Sequence, residues 1–302
     1  MILFPEAKIN IGLFVTRRRE DGYHILQTLF YPIDWCDALE VTLRDENIIT
    51  SEDEACETED GQVRWFQTGL QVDCDPEQNL CVKAYRMLQQ RFPDMPRIDM
   101  HLQKQVPFGA GLGGGSSDGA HALLLLRQMF GLAVSDEELE AMASKMGADC
   151  AFFCRCGNQL NTSANGGVMQ AQYCEGIGHE LEPHTLSLKG KYIVVVKPPF
   201  GVSTKVAYSG IIPVEPATPL DQLLKEPIEQ WRNKVSNDFE KSVFPLYPSL
   251  AQTKQTFYDH GAIYASMSGS GSALFGIFDS EQADCATWFG EDYQARGHWA
   301  LV

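Results

Sequence analysis

Apolar and polar side chains alternate at the beginning of the chain with the period of a β-strand. From Ile9 to Val15 every second residue is aliphatic, which places Lys8 and Asn10 together on the opposite face. The turn signal Glu20-Asp21-Gly22 separates this strand from a second one predicted over 23–33, and the alternation resumes at 39–43. The pattern predicts that the chain begins as a mostly antiparallel sheet.

Helical spacing and helix-ending residues appear farther along. Asn79 is a good N-cap for an apolar stripe that ends before Pro93. The capping box Ser135-x-x-Glu138 begins a second helix, for which Gly147 is a natural stop. Asp149, two residues after this stop, is an acid between a helix and a short apolar run.

Alternation predicts further strands over 98–102 and 193–196, and a strand, Gly/Ser turn and strand over 262–278. Two segments lack a clear period. The acidic segment 45–60 is expected to be an exposed loop or a weak edge strand, and the segment 154–175 a loop or hairpin insertion. A domain boundary is expected between about 155 and 190, because 302 residues suggest two domains or one large unit.

The charge balance changes the picture of what the chain can bind. Its 24 Lys+Arg against 40 Asp+Glu give a net charge of −16, which argues against nucleic acid as a partner. An anionic small substrate remains compatible, since a local cleft can be basic on an acidic protein. The one cationic cluster, Arg17-Arg18-Arg19, is interpreted as a solvated hairpin tip.

No apolar run reaches the roughly 18 residues of a membrane span, and the first residues lack the features of a signal peptide. We therefore expect a cytoplasmic protein without a membrane partner. The nine cysteines are scattered and odd in number, so reduced thiols are the simpler interpretation. The spacing of Cys150, Cys154 and Cys156 matches no usual zinc pattern, which favours core packing.

The most informative segment is a glycine-rich loop between a strand and a helix. Five glycines fall within the seven positions 109–115, and Ser116-Ser117-Asp118 leads into the helix. Free N–H groups of the first helical turn and the helix dipole favour an anion there, and glycines allow close approach of a phosphate. A plain strand-to-helix turn needs only one or two glycines. The candidate phosphate-binding residues are Pro107, Gly109, Gly111, Leu112, Gly113, Gly114, Gly115, Ser116 and Ser117.

Two common nucleotide loops fit less well. The pattern Gly-x-x-x-x-Gly-Lys-Ser/Thr is absent from the loop. Gly109-x-Gly111-x-x-Gly114 matches the dinucleotide fingerprint, but that motif also needs an acidic residue at the end of the next strand. Here the acids at that distance, Asp136 and Glu137, lie in the first turn of a predicted helix, so a dinucleotide oxidoreductase is disfavoured.

Three motifs in this order resemble the GHMP kinase superfamily: the N-terminal lysine strand, the Pro-x-Gly-x-Gly-Leu-Gly-Gly-Gly-Ser-Ser loop, and a C-terminal Met-Ser-Gly-Ser-Gly turn. The residues from Lys8 to Phe30 further resemble the branch that acts on diphosphocytidyl-methylerythritol. The remaining matching runs are Gly147-Ala148-Asp149, Gly201-Val202-Ser203-Thr204 and Ser236-Asn237-Asp238. One departure is Gly119, at a position where a better helix former such as Ala is common.

The resemblance implies an α+β fold, an α/β architecture of two lobes with a mixed N-terminal sheet and the active site in the cleft between them. It implies an N-terminal ATP-binding lobe over 1–160 and a C-terminal lobe over 161–302. It also implies transfer of the γ-phosphate of ATP, with Mg²⁺, to the 2-hydroxyl of an alcohol that carries a cytidine diphosphate group. This reaction belongs to the non-mevalonate isoprenoid pathway.

The resemblance further implies roles for single residues. Asp149 corresponds to the catalytic aspartate and Lys8 to its partner lysine, although from the residues alone they are a capping or surface acid and an edge-strand lysine. A carboxylate can accept the proton of an attacking hydroxyl, and a nearby ammonium offsets negative charge on the transferring group. The substrate-binding residues implied are Asn10, Tyr23, His24 and Tyr208. Asn79 and Lys104 correspond to positions near adenine, and Ser117 is a candidate metal ligand.

Other functions stay open on the sequence alone. Another GHMP kinase, acting on an alcohol such as mevalonate or homoserine, would keep the glycine loop but has no need of Tyr23 and His24. A non-catalytic nucleotide-binding protein would keep the loop but has no need of Lys8 and Asp149. The sequence does not fix the oligomeric state.

Overall fold

The computed structural model describes residues 1–45, 55–71, 75–161 and 170–300, with the backbone alone for 158–161. Within these ranges no helix is both long and apolar enough to cross a membrane. The described residues form two compact units. The first holds those of Met1–Ala7, Trp35–Pro107 and Gly113–Gly167, and the second those of Lys8–Asp34, Phe108–Leu112 and Val168–Val302.

A five-stranded mixed sheet forms one layer of the first unit. Its strands, in their order across the sheet, are β1 (Ile2–Leu3), β4 (Ala38–Leu43), β7 (Ile98–Lys104), β6 (Val63–Gly69) and β5 (Cys56–Glu57). The pair β6–β7 is parallel, and the other three pairs are antiparallel. The mixed N-terminal sheet is therefore confirmed. Of the acidic segment 45–60, residues 46–54 lie outside the described residues, while β5 is the weak edge strand that was expected.

Four helices belong to the first unit. They are α1 (Leu80–Arg91), α2 (Gly114–Phe130), α3 (Asp136–Met146) and α4 (Ala148–Asn161). The predicted starts of α1 and α3 are confirmed, because the Asn79 side chain accepts from the N–H of Cys81 and Ser135 and Glu138 form a reciprocal capping box. Helix α2 begins two residues before Ser116, at Gly114. Its N-cap is Gly113, which has a left-handed φ of 72° and provides no side-chain cap.

Close helix packing explains the departure at Gly119. A Cβ atom there would lie 2.7 Å from Cβ of Leu80 and 2.8 Å from Cε of Met146. Any side chain would therefore push α2 away from residues of α1 and α3. The cost of glycine inside a helix is offset by the close contact that it allows.

The helix α4 corrects two expectations. Asp149 does not lie between elements but in the first turn of this helix. The segment 154–175 is not a loop throughout, because α4 continues to Asn161 and a strand begins at Gln172. Residues 162–169 of that segment lie outside the described residues. The short apolar run 151–153 does not by itself indicate a helix of this length, since it is also compatible with a strand.

The second unit contains two four-stranded sheets. The first has the order β2 (Glu6–Arg18), β3 (His24–Cys36), β8 (Gln172–Glu175), β9 (Glu180–Pro183). The second has the order β11 (Tyr264–Met267), β12 (Leu274–Phe278), β10 (Tyr192–Lys197), β13 (Gln294–Trp299), with every pair antiparallel. The predicted strand, turn and strand are β11 and β12. The expectation that 39–43 continues the sheet of β2 and β3 was wrong, because β4 joins the first unit.

The described residues of the second unit also form four α-helices: α5 (Thr204–Ser209), α6 (Leu220–Leu223), α7 (Phe239–Val243) and α8 (Pro248–Asp259). Its core joins side chains of β2, such as Leu13 and Val15, to those of β10, α7 and α8. Arg17, Arg18 and Arg19 are exposed, as expected of a solvated hairpin tip. All described cysteines are free thiols.

Candidate active site

The first part of the glycine loop, Phe108–Leu112, is held by the C-terminal Ser/Gly turn within the second unit. Gly111 has a φ of +75°, and a Cβ atom there would lie 2.1 Å from the carbonyl oxygen of Ser268. The Ser268 hydroxyl donates to the carbonyl of Gly111 at 2.8 Å. Glycine is therefore required at 111 for both conformation and space. The C-terminal turn therefore supports the first part of the glycine loop.

Lys8 contacts this same loop. Its buried ammonium donates to Oδ1 of Asn10 at 2.6 Å and to the carbonyl of Gly111 at 3.1 Å, and it lies 5.0 Å from the ring centroid of Phe30. The Asn10 amide nitrogen donates in turn to the Thr28 hydroxyl at 2.9 Å. The predicted shared face of Lys8 and Asn10 is confirmed. These bonds fix the direction of the Lys8 side chain, which reaches the carbonyl of Gly111 in the loop.

Asn237 anchors the turn that holds the loop, a role that the sequence analysis missed. Its amide nitrogen donates to the carbonyls of Met267 and Gly269, each at 2.8 Å, and its oxygen accepts from the N–H of Phe239. The next residue, Asp238, accepts from the N–H of Val15 at 2.8 Å. In the sequence, the run Ser236-Asn237-Asp238 indicates only the family resemblance. Three polar residues before a short helix are also typical of a surface helix cap, so the pattern does not predict this anchoring role.

The second part of the loop begins α2 in the first unit. The first N–H groups of a helix have no acceptor within it, and in α2 they belong to Gly114, Gly115 and Ser116. The N–H of Ser117 already donates to the carbonyl of Gly113 at 2.9 Å. The Ser117 side chain is fully buried, and its Oγ lies 3.3 Å from Nδ1 of His121. Ser116 is partly exposed, so it presents the accessible hydroxyl of this turn.

Asp149 lies in the first turn of α4, next to a contact with this loop. The Ser116 hydroxyl is hydrogen-bonded to the thiol of Cys150, whose pKa burial raises to about 11. A Cβ atom at Gly147 would lie 4.0 Å from Oγ of Ser116. The first turns of α2 and α4 therefore touch within the first unit. An acid is favourable in the first turn of a helix, where the dipole is positive.

Lys104 and Asn79 have structural partners in the described residues. The buried ammonium of Lys104 donates to Asp118 at 2.8 Å and also to Asp37, whose other oxygen accepts from the N–H of Val106 at 2.8 Å. Burial, with the nearby Asp37 carboxylate, raises the pKa of Asp118 to about 7, although Lys104 opposes this. The Asn79 side chain caps α1. The adenine contacts of both residues stay predictions.

The predicted cytosine-binding residues lie together in the second unit. The His24 ring stacks on Tyr208, with 4.8 Å between ring centroids and 27° between planes, and Phe239 packs edge-on against Tyr208. Tyr23, beside them in sequence, is 61% exposed. Partial burial, with the charge of Arg18, lowers the pKa of His24. A neutral imidazole beside aromatic rings suits a flat heterocycle.

The described residues include no group of three or more His, Cys, Asp or Glu side chains that could hold a metal ion. Ser117 does not fit the role of metal ligand in this conformation, because its hydroxyl is fully buried against His121. Ser116 has the exposure that such a ligand needs.

Comparison with known proteins agrees with this arrangement. Residues 79–157 match the family model of the GHMP kinases N terminal domain, and residues 220–286 match that of the GHMP kinases C terminal. The chain is 45% identical over 282 residues to a 4-diphosphocytidyl-2-C-methyl-D-erythritol kinase of Bacteroides fragilis, covering 93% of both chains. It is 44% identical over 299 residues to one of Parabacteroides distasonis, covering 96% of this chain and 99% of the relative.

A solved structure agrees as well. The crystal structure of a 4-(cytidine 5'-diphospho)-2C-methyl-D-erythritol kinase matches with a TM-score of 0.74 and 29% identity, over 98% of both chains. The expected fold is therefore confirmed. The chain belongs to the 4-diphosphocytidyl-2-C-methyl-D-erythritol kinases of the GHMP kinase superfamily.

Proposed function

We propose that the chain transfers the γ-phosphate of ATP to the 2-hydroxyl of 4-diphosphocytidyl-2-C-methyl-D-erythritol, giving the 2-phosphate and ADP in the non-mevalonate isoprenoid pathway. The observation that carries this proposal is identity of 45% to a kinase of that name over 93% of both chains. ATP is the co-substrate of the family. We propose a cytoplasmic location, where ATP and the nucleotide-linked substrate are available.

The reaction needs one bond made and one broken. The substrate oxygen bonds to the γ-phosphorus, the bond from that phosphorus to the bridging oxygen of ADP breaks, and the hydroxyl proton must leave. We assign the proton to the carboxylate of Asp149, as a general base or an orienting acceptor. The ammonium of Lys8, held by Asn10 and Gly111, would offset the negative charge of the transferring group.

ATP phosphates would be bound by the free N–H groups of Gly114, Gly115 and Ser116. The left-handed residues Gly109, Gly111 and Gly113 give the loop its shape. Mg²⁺ would arrive with ATP and neutralise charge on its phosphates, with Ser116 the hydroxyl that is exposed for contact. No step is assigned to the Ser117 hydroxyl.

The cytosine ring would bind at Tyr23, His24 and Tyr208. The stack of His24 on Tyr208 supports this, because flat rings at 4.8 Å provide a stacking surface for a base. Asn10 is proposed to act mainly through Lys8, since its amide oxygen accepts from the ammonium and its nitrogen donates to Thr28. The division into lobes at 160/161 stays a prediction, and so does the absence of a nucleic-acid partner.

The test is ADP release from Mg-ATP by the purified protein with four alcohols: the diphosphocytidyl compound, mevalonate, homoserine and galactose. We expect turnover with the diphosphocytidyl compound alone. Turnover with another alcohol would keep the kinase chemistry and discard the cytosine site. ATP binding without turnover on any alcohol would favour a non-catalytic role.

Asp149→Asn tests the assignment of the proton acceptor. We expect turnover to fall by orders of magnitude while the Kd of both substrates stays within a few-fold, because the amide cannot accept the proton. Asp136→Asn is the matched control, since Asp136 is also an acid in the first turn of a helix. Near-normal turnover of Asp149→Asn would remove this residue from the mechanism.

A further inference from the structure

A buried histidine lies directly behind the predicted phosphate-binding turn. His121, 3% exposed, is in the second turn of α2. Its Nδ1 is 2.9 Å from the carbonyl oxygen of Ser117, and its Nε2 is 3.2 Å from Oε2 of Glu6, at the beginning of β2. The assigned function leaves this side chain without a role.

The two contacts favour a charged ring. A carbonyl oxygen only accepts, so Nδ1 carries the proton in its contact with the Ser117 carbonyl. Nε2 lies within ion-pair distance of Oε2 of Glu6, although that oxygen has no hydrogen-bond partner among the described residues. Burial by itself lowers the pKa of His121, but the nearby Glu6 side chain outweighs it, so the pKa is raised.

Helix α4, which carries Asp149, packs against the same ring. A Cβ atom at Gly157 of α4 would lie 3.7 Å from Nε2 of His121 and 2.3 Å from Cδ1 of Leu124. The absence of a side chain at 157 is thus what lets α4 approach α2 at this point. Two other titratable groups interact electrostatically with His121 or Glu6. They are Asp118 on α2, which acts on His121, and Cys156 on α4, which interacts with Glu6.

We propose that His121 is a positioning residue, which as an imidazolium ties the Ser117 carbonyl to Glu6 and so fixes the first turn of α2 for ATP phosphates. This proposal rests on the proposed function only for the identity of the phosphate ligand. Loss of either half of the bridge leaves the first turn free to shift away from the phosphates.

Two variants separate the two halves of the bridge. In His121→Asn the amide nitrogen replaces Nδ1 and can still donate to Ser117, but nothing reaches Glu6. In His121→Gln the amide nitrogen replaces Nε2 and can reach Glu6, but the bond to Ser117 is lost. We expect each to raise the Kd and KM for ATP by about ten-fold, with kcat within two-fold, as for a lost bond to a charged group. The control is His298→Asn, another buried histidine, which lies in the other unit.

The pH dependence of ATP affinity distinguishes positioning from simple packing. In the natural protein the Kd for Mg-ATP should rise when the pH passes the raised pKa of His121, because the neutral ring no longer forms an ion pair with Glu6. In Glu6→Gln this rise should occur at a lower pH, because the carboxylate that holds the proton is gone. In His121→Asn the rise should be absent, with the Kd elevated at every pH.

Three results would overturn the proposal: a rise that Glu6→Gln leaves in place, an unchanged ATP affinity in both His121 variants, or an equal effect of His298→Asn. Calorimetric binding of Mg-ATP needs no second substrate. If the diphosphocytidyl compound were not phosphorylated, the proposed function would fail, while the binding arm would still test the role of His121.

Discussion

Replacing Lys104 by methionine tests the buried charges beneath α2. The side chain is 3% exposed, and its ammonium is shared by Asp37 and Asp118. Methionine keeps most of the volume but leaves two buried carboxylates without a cation. Removing one partner of a buried ion pair costs about 3–5 kcal/mol, because an uncompensated charge remains in the interior. For a chain of this size that is a fall in Tm of about 10 °C.

The two carboxylates are not equivalent, and this sharpens the test. Asp37 also accepts from the backbone N–H groups of Gln105 and Val106, whereas Oδ1 of Asp118 has no hydrogen-bond partner among the described residues. Adding Asp118→Asn to Lys104→Met should therefore recover a large part of the lost stability. Lys225→Met, which removes an exposed surface pair, should cost at most about 1 kcal/mol.

The pH dependence has a definite sign. The pKa of Asp118 is raised to about 7, above that of an unfolded aspartate, so the folded state holds the proton more strongly. Its contribution to stability is complete below about pH 4 and is lost as the pH rises through 7. Asp118→Asn should flatten this part of the stability curve.

Thermal and denaturant unfolding from pH 4 to 8, with the Kd of ATP measured well below each Tm, would check all these variants. A loss below about 1 kcal/mol in Lys104→Met, or no recovery in the double variant, would refute the argument that this ion pair is buried. A large loss of ATP affinity without loss of stability would instead favour the adenine contact predicted for Lys104.

Three further predictions follow from contacts in the second unit. Ser268→Ala should lower the free energy of unfolding by about 1–2 kcal/mol and weaken ATP binding several-fold, because the Gly111 carbonyl loses a donor; paired unfolding and ATP titrations check this. Tyr208→Ala should raise the KM of the diphosphocytidyl substrate about ten-fold but leave that of ATP unchanged, because the aromatic surface stacked on His24 is lost; steady-state kinetics with either substrate varied would show it. Burial lowers the pKa of His298 to about 4, so its contribution to stability is present above about pH 6.5 and is lost as the pH falls; His298→Gln should weaken that acid dependence in unfolding experiments.

Local patterns predicted most of the elements but not their partners. The alternation at 39–43 identifies β4 correctly, yet β4 pairs with β7 and not with β3. Periodicity gives the face of a strand and carries no information on which neighbour it joins. The same limit applies to α4, where the short apolar run 151–153 is compatible with strand or helix until its packing on α2 is known.

In the candidate site, too, features formed by consecutive residues could be predicted from the sequence, whereas contacts between distant residues could not. The glycine loop could be found from sequence because its conformational needs are written in consecutive residues. The support of that loop by Ser268 and Asn237 could not, because these side chains lie far from it along the chain and their partners are backbone carbonyls. Every residue type has a backbone carbonyl, so the sequence does not show which carbonyl accepts a hydrogen bond from a distant side chain.

The starts of α2 and α3 show how the chain distinguishes a structural helix end from a binding one. Helix α3 satisfies its first N–H groups with the capping box of Ser135 and Glu138. Helix α2 begins at Gly114 after the N-cap Gly113, which provides no side-chain cap, although two serines follow within the first turn. One of them, Ser117, is turned inward to His121 and the other contacts Cys150. The first N–H groups of α2 therefore receive no side-chain cap, which is the arrangement that the proposed binding of ATP phosphates requires.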